Sequence, residues 1–182
     1  MISAIHLVPL SLASGEGLPP LSVLDRLSAA VARSFAVSCR VETQPMNIDY
    51  AFDGYRMQAW STPILAQLQQ RKPPANTVVL GVTALDLYVP VLTFVFGEAQ
   101  LAGPAAIVST HRLRDEYYGL PPREEAVSQR LFKELLHEVG HTQGLRHCTD
   151  WRCVMSSAHS VERIDIRQAA YCQPCADAFS RG

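Results

Sequence analysis

The chain is short of several things at once, and each shortage removes a class of function. Its 182 residues carry 16 lysines and arginines against 17 acidic residues, a formal net charge of −1. No basic cluster or aromatic-spaced basic stripe occurs, so nothing points to a nucleic-acid partner. No apolar run reaches the length of a membrane span, so no membrane association is expected. Basic residues are absent before Arg26. The apolar stretch Met1 to Ser14, although followed by a cleavage-like Ala13-Ser14-Gly15, therefore lacks the positive start of a signal peptide, and Pro9 interrupts it. It reads as a buried N-terminal strand, and a cytoplasmic location follows. Cysteine is scarce until late in the chain, where four of the five lie beyond residue 147. The fifth, Cys39, follows the apolar run Phe35-Ala36-Val37 and reads as a small buried core residue. What the chain has in quantity is apolar content, 48%, enough to build the core of one compact domain over residues 1–182.

The most specific feature runs from His137 to Cys148 and reads His-Glu-Val-Gly-His-Thr-Gln-Gly-Leu-Arg-His-Cys. It places His137, Glu138, His141, Gly144 and His147 at the spacing HExxHxxGxxH, which supplies three ligands for a catalytic zinc and an adjacent general base. The spacing has this meaning only on a helix. After Pro121 and Pro122, Val127, Leu131 and Leu135 recur every four positions from Glu124 onward, which predicts an amphipathic helix. His137 and His141 then lie one turn apart on one face, while Glu138, about 100° around, is placed to reach a water and not the ion. Gly144 tolerates the positive φ that ends a helix and lets the chain bring His147 back. Three neutral imidazoles leave zinc its full charge and an open position, so a water becomes acidic enough, at about pKa 7, for Glu138 to take its proton and attack a polarised carbonyl. Peptide hydrolysis is the expected reaction. A lone HExxH arises by chance in many helices as a buried histidine pair, but Gly144 and His147 at fixed offsets argue against chance here. A metal-dependent ribosomal RNA endonuclease family carries a similar HxxxHxxGxxH array without the glutamate; Glu138 separates this chain from it.

A second constellation begins at the next residue. Cys148 and Cys153 are followed by Cys172 and Cys175, a Cx4C and a CxxC. Four thiolates leave no open position and make a closed structural zinc site, giving two zinc ions per chain. The rival reading, a pair of disulfides, needs an oxidising compartment, and nothing else in the chain supports export. In extended backbone His147 and Cys148 point to opposite sides, so the structural ion clamps the segment that delivers the last catalytic ligand. His159, between the cysteine pairs, reads as a surface histidine.

Together these residues resemble the archaemetzincins (archaelysins), a family of metzincin-type zinc peptidases. The resemblance rests on His137, Glu138, His141, Gly144 and His147, followed directly by Cys148, Cys153 and Met155 as Cx4CxM, then by Cys172 and Cys175. Sixteen residues separate Met155 from Cys172, one fewer than the family's usual spacing. The lead-in Arg112-Leu-Arg-Asp-Glu-Tyr-Tyr-Gly is also similar to the family's. The resemblance implies that Met155 is the methionine of the turn beneath the zinc, supporting the ligands without coordinating. It also implies a cleft between an upper sheet subdomain (1–144) and a lower zinc-stapled one (145–182), with an antiparallel edge strand near Thr93 to Leu101 that pairs with extended substrate.

Periodicity fills in the remainder. Strands are expected at residues 2–8, 36–43, 77–82, 92–96 and 105–109. Helices are expected at 21–35 and 63–71, with 46–54 as loop. Asp165 with Gln168 resembles an N-cap and its return partner, which starts a helix carrying Cys172, and Pro174 argues for a tight knuckle leading into a short helix. The order β, α, β, α, β, β, β and then the zinc helix is that of an α/β domain with a mixed sheet. Two functions are compatible with all this: a zinc peptidase acting on peptide or protein, and a zinc-stabilised peptide-binding or structural module with little turnover. Glu138 favours the peptidase, because a binding module needs no base beside the metal. Tyr117, Tyr118 and Tyr171 are the candidates for stabilising an oxyanion. The sequence carries no signal for oligomeric state, substrate or site of cleavage along a peptide.

Overall fold

The computed structural model describes residues 2–71 and 73–181; Met1, Lys72 and Gly182, part of the expected 1–182 domain, lie outside the described residues. The frame is a mixed sheet built from β1 (Ala4–Ser11), β2 (Ser38–Val41), β6 (Thr77–Thr83), β8 (Gly97–Ala99) and β9 (Ala105–Ser109) in the order β2-β1-β6-β9-β8. The pairs β2–β1, β1–β6 and β6–β9 are parallel, and β8 runs antiparallel to β9 at the edge. The two-residue β3 (Met46–Asn47) also pairs with β1. A second small sheet joins β4 (Phe52–Asp53), β5 (Gln58–Trp60) and β7 (Leu87–Tyr88).

Alternation along the central strands sorts side chains to two faces. Ile5, Leu7, Val78, Leu80, Val82, Ala106 and Val108 face one core, which is covered by α1 (Leu21–Phe35) and α3 (Glu124–Thr142). Val8, Leu10, Val79, Ala105 and Ile107 face the other, covered by α2 (Ser61–Gln69). With helices on both faces, β6 is buried at all seven positions, as its apolar run rich in β-branched residues anticipates. In α1 the buried residues are Leu24, Leu27 and Val31, the spacing of an amphipathic stripe.

Several boundaries differ from the sequence reading, each for a local reason. The first strand spans Ala4–Ser11 and so passes through Pro9. That residue falls where β1 leaves β2, at Leu7, and before it meets β3, at Leu10, so no ladder on that side needs its missing N–H. The second strand is confined to Ser38–Val41, the second helix starts two residues early at Ser61, and the supposed loop 46–54 contains β3 and β4. Residues 92–96 are not a strand: only Val95 bridges to Leu87. Side chains hold this wall instead. Gln58 Nε2 donates to the Thr93 carbonyl at 3.0 Å, and the Arg112 guanidinium lies 4.0 Å over the Phe94 ring. No helix begins at Asp165: its carboxylate is turned to Arg130, each oxygen accepting at 2.7 Å, and not to the backbone that follows it. Asp165 instead sits near the end of α4 (Val161–Ile166). The chain then turns at Cys172 into α5 (Gln173–Arg181), with Pro174 tolerated in its first turn.

Arg130 is the polar pin of this arrangement. From the middle of α3 it reaches Asp165 on α4, the Leu113 carbonyl at 2.8 Å and Asp115 at 2.8 Å. Arg123 and Arg130 hold the Asp115 carboxyl down from its ordinary 3.8 to about 2. A carboxyl whose folded pKa is depressed adds stability above its unfolded value and loses it as the pH falls through the folded one. Acid unfolding should therefore steepen between about pH 4 and pH 2. Asp115→Asn should melt lower at neutral pH and lose that part of the pH dependence in thermal scans, and an unchanged pH profile would contradict the assignment.

Candidate active site and metal centre

Helix α3 ends in a turn that the sequence writes locally. Gly144 adopts φ 84°, its N–H bonds to the His141 carbonyl at 2.9 Å, and the next N–H, of Leu145, returns to the Gly140 carbonyl at 3.0 Å. This pair of bonds is the Schellman arrangement, and the left-handed residue it needs is the glycine of the motif. Leu145 then packs into a small core with Leu136, Val154 and Met155. Its carbonyl turns back to accept from His141 Nδ1 at 2.7 Å. The same turn carries His147 to the other two histidines, with ring centroids 5.2 Å from His137 and 5.0 Å from His141.

His137 is fixed in the same way from the other side, with Nδ1 2.8 Å from the Val154 carbonyl. A carbonyl oxygen only accepts, so in both rings Nδ1 carries the proton and Nε2 carries the lone pair. The two Nε2 atoms face each other at 3.1 Å. Two lone pairs at that separation repel unless a cation lies between them, and tetrahedral zinc with bonds of about 2.0–2.1 Å spaces its nitrogen ligands by roughly this distance. The ligand atoms of His137, His141 and His147 all lie within 4.8 Å of one another. Burial pushes all three imidazoles down, His137 to about 3, which keeps them neutral as metal binding requires. The donor set fits a metal with an open position.

Glu138 is buried on the neighbouring face of α3, and its carboxyl is pushed well up, first by burial and then by the nearby acids Glu134 and Glu98. No described residue donates a hydrogen bond to it. Glycine at position 97 lets β8 come this close: a Cβ there would stand 2.8 Å from Glu138 Oε1 and 2.6 Å from the Ile107 carbonyl. Between β8 and the segment Ser157 to His159 opens a cleft of about 840 Å³, with His137, Glu138, His141 and His147 on its floor and Phe94, Phe96 and Leu101 among its apolar walls.

Met155 is fully buried, and its Sδ would be 2.3 Å from a Cβ at position 140. The thioether is thus pressed against the helix between His137 and His141 at the one residue without a side chain. Tyr171 lies on the same spot and donates from its hydroxyl to the Leu136 carbonyl at 2.7 Å. The oxyanion candidates read from sequence do not face the reaction space. Tyr171 is spent on Leu136, Tyr118 donates to the Arg112 carbonyl at 2.9 Å, Tyr117 packs edge-on against His111 and Tyr118, and none of the three lines the cleft. His159 is exposed, as expected, but stands at the rim of the cleft.

The four late cysteines also converge, with Sγ atoms within 4.8 Å of one another and Cys148 to Cys172 at 3.7 Å. Zinc–sulfur bonds of about 2.3 Å in a tetrahedron place sulfurs about 3.8 Å apart. Backbone N–H groups of Met155 and Cys172 point at Cys153 Sγ, at 3.4 and 3.3 Å, as they do toward thiolates. His147 and Cys148, neighbours in sequence, belong to different clusters, and the Cys148 N–H bonds to the Met155 carbonyl at 2.9 Å. Glu134, Gly140, Gly97 and Arg167 were not singled out from sequence. Gly140 had a signal, since a glycine inside a periodic helix costs about 1 kcal/mol and marks a close approach. The other three had none.

Comparisons with known proteins agree with this geometry. The family model of Peptidase family M54 matches residues 35–181. An archaemetzincin of Methanocaldococcus jannaschii is 46% identical over 126 residues, 69% of this chain and 68% of that protein. One of Methanopyrus kandleri is 35% identical over 175 residues, 94% of this chain and 95% of that protein. The crystal structure of the Archaeoglobus fulgidus archaemetzincin complexed with malonate superposes with a TM-score of 0.78 at 32% identity, covering 96% of this chain and 99% of that one. A zinc-dependent peptidase of Methanocorpusculum labreanum superposes at 0.83 with 28% identity, covering 96% and 99%. The α/β fold is that of these solved structures, and the chain, with its histidine cluster and C-terminal cysteine cluster, belongs to peptidase family M54, the archaemetzincins, a family of zinc metallopeptidases.

Proposed function

We propose that the chain hydrolyses peptide bonds with two zinc ions. His137, His141 and His147 hold the catalytic ion, and Cys148, Cys153, Cys172 and Cys175 hold the structural one. The catalytic zinc supplies two things when bound: a more acidic water and a polarised peptide carbonyl. Glu138 is the general base. Its buried carboxylate faces the cleft beside the imidazoles with no protein donor of its own, so a water is its natural partner, and it holds the proton for delivery to the leaving amine. That unpartnered carboxylate is the observation that carries the reading. Burial with a raised pKa suits a group that must take a proton and then give it back.

The substrate lies along β8. Phe96 O accepts from Ser109 N and Gln100 N donates to Ala105 O, so the residues in step with these point their backbone at β9. Gly97 and Ala99, out of step, present theirs to the open side, where an extended peptide adds as a further strand. The edge strand is thus shorter than the Thr93 to Leu101 segment read from sequence. Gly144 divides the domain into an upper part, 1–144, and a lower part, 145–182, and substrate passes between them. Four sulfurs meeting at one point suit a reducing compartment such as the cytoplasm, and no described helix is long and apolar enough to cross a membrane.

Glu138→Gln should keep its zinc and lose about 100- to 10,000-fold in peptide turnover, measured on a peptide library alongside metal content by mass spectrometry; equal turnover would sink the mechanism. Gly97→Ala forces β8 away from Glu138, because backbone at Ile107 blocks the new Cβ, and should lower kcat/KM by about 100-fold with an unaltered circular dichroism spectrum. Cys153→Ser loosens the segment carrying Cys148 and Met155, and should weaken zinc at the histidines by about tenfold or more without touching a ligand there. Unchanged affinity in a chelator competition would disprove that coupling.

A further inference from the structure

The ion pair between Glu134 and Arg167 has no role in the reaction as derived, yet it is the most deeply buried charge pair among the described residues, with side chains 4% and 1% exposed. Glu134 lies on α3 one turn before Glu138, and Arg167 follows directly on α4. Two buried charges in a core of this size are, on desolvation grounds, a poor source of stability compared with apolar packing. Their placement is informative instead.

Arg167 meets Glu134 through Nη2 alone, and its Nε has no partner. A guanidinium built chiefly to neutralise a carboxylate would square onto it with two parallel bonds. Here the fork is rotated so that Nη1 points at backbone: its two hydrogens go to the Val154 carbonyl at 2.9 Å and the Ser156 carbonyl at 2.8 Å. These carbonyls flank Met155. The Val154 oxygen has two lone pairs, and the second accepts from His137 Nδ1 at 2.8 Å. His137 Nδ1 also lies 3.1 Å from Arg167 Nη1, but both hydrogens of that nitrogen are taken by carbonyls, so imidazole and guanidinium meet as two donors to the Val154 oxygen they share.

We infer that Arg167 is a positioning residue for the catalytic metal site: held by Glu134, it grips the carbonyls on both sides of Met155 and aims the Val154 oxygen at His137 Nδ1, which sets the ring so that Nε2 faces the ion. The inference rests on the proposed role of the three histidines as ligands. Two things are held by one guanidinium, the hydrogen bond that orients the first histidine and the turn that presses Met155 against Gly140. Lysine would not replace it, since one ammonium on a flexible stem cannot present two separated N–H groups in a fixed plane. The partner of a metal-bound histidine's second nitrogen is usually a single acceptor; here that acceptor is itself fixed from behind.

The test compares full-length wild type, Arg167→Met and the double variant Arg167→Met/Glu134→Leu, reading thermal melting and zinc affinity by chelator competition. Arg167→Met is expected to melt lower, because Glu134 is left as an unpaired buried acid, and to bind zinc at the histidines about 10- to 100-fold more weakly. The double variant removes both charges, so it is expected to regain the melting temperature without regaining the affinity. Affinity that recovers together with stability would overturn the positioning role and leave the pair structural. Should the double variant fail to fold, Arg167→Lys decides: weakened zinc with a retained melting temperature supports the inference, and wild-type affinity refutes it. A wild-type chain that binds one zinc, indifferent to His137→Ala, would instead strike at the metal reading beneath.

Discussion

Neutral imidazoles whose lone pairs face one point repel each other, and the two that α3 carries, His137 and His141, keep that arrangement because each ring is gripped by its other nitrogen. Here the grips are backbone carbonyls, Leu145 for His141 and Val154 for His137. Both carbonyls lie beyond the end of α3, so the helix that carries the histidines cannot orient them unaided. The segment after Gly144 must return over the helix, and the Schellman turn, Met155, the cysteine cluster and Arg167 all act on that return path.

The contacts at Gly140 and Gly97 obey the same constraint on the two sides of α3. On one side Met155 and Tyr171 close against the helix where no Cβ stands in the way; on the other, the edge strand closes against Glu138 for the same reason. The helix is thus pinched between the lower part of the chain and the rim of the sheet, and the cleft is the space left between them. Moving either wall by the width of a methyl group changes the relation between Glu138 and the three histidines, because packed interiors do not yield smoothly.

The periodic parts of the fold were legible in the sequence. Leu24, Leu27 and Val31 defined α1 at its observed limits, and the run Thr77 to Val82 showed itself as a strand covered on both faces. Where apolar spacing had another cause, the reading failed. Residues 92–96 are mostly apolar because they line a cleft wall pinned by Gln58 and Arg112, and not because they pair in a ladder. Asp165 has the spacing of a cap, but Arg130, from a helix far away in sequence, takes both its oxygens. The three tyrosines offered for the oxyanion had suitable chemistry and unsuitable directions.

The two side-chain clusters were legible in the sequence alone. Spacing on a helix fixes which residues share a face, so the pairing of His137 with His141, the glycine that ends the helix, and the division of His147 and Cys148 between two clusters needed no coordinates. The tertiary structure decided what surrounds those clusters: the carbonyls that set the imidazole tautomers, the arginine behind Val154, the strand that Gly97 admits to Glu138, and the absence of any tyrosine from the cleft. Local geometry repeats with the period of the helix and can be counted off a sequence. The acceptors and charges that tune a site come from segments distant along the chain, and only folding brings them within hydrogen-bonding reach.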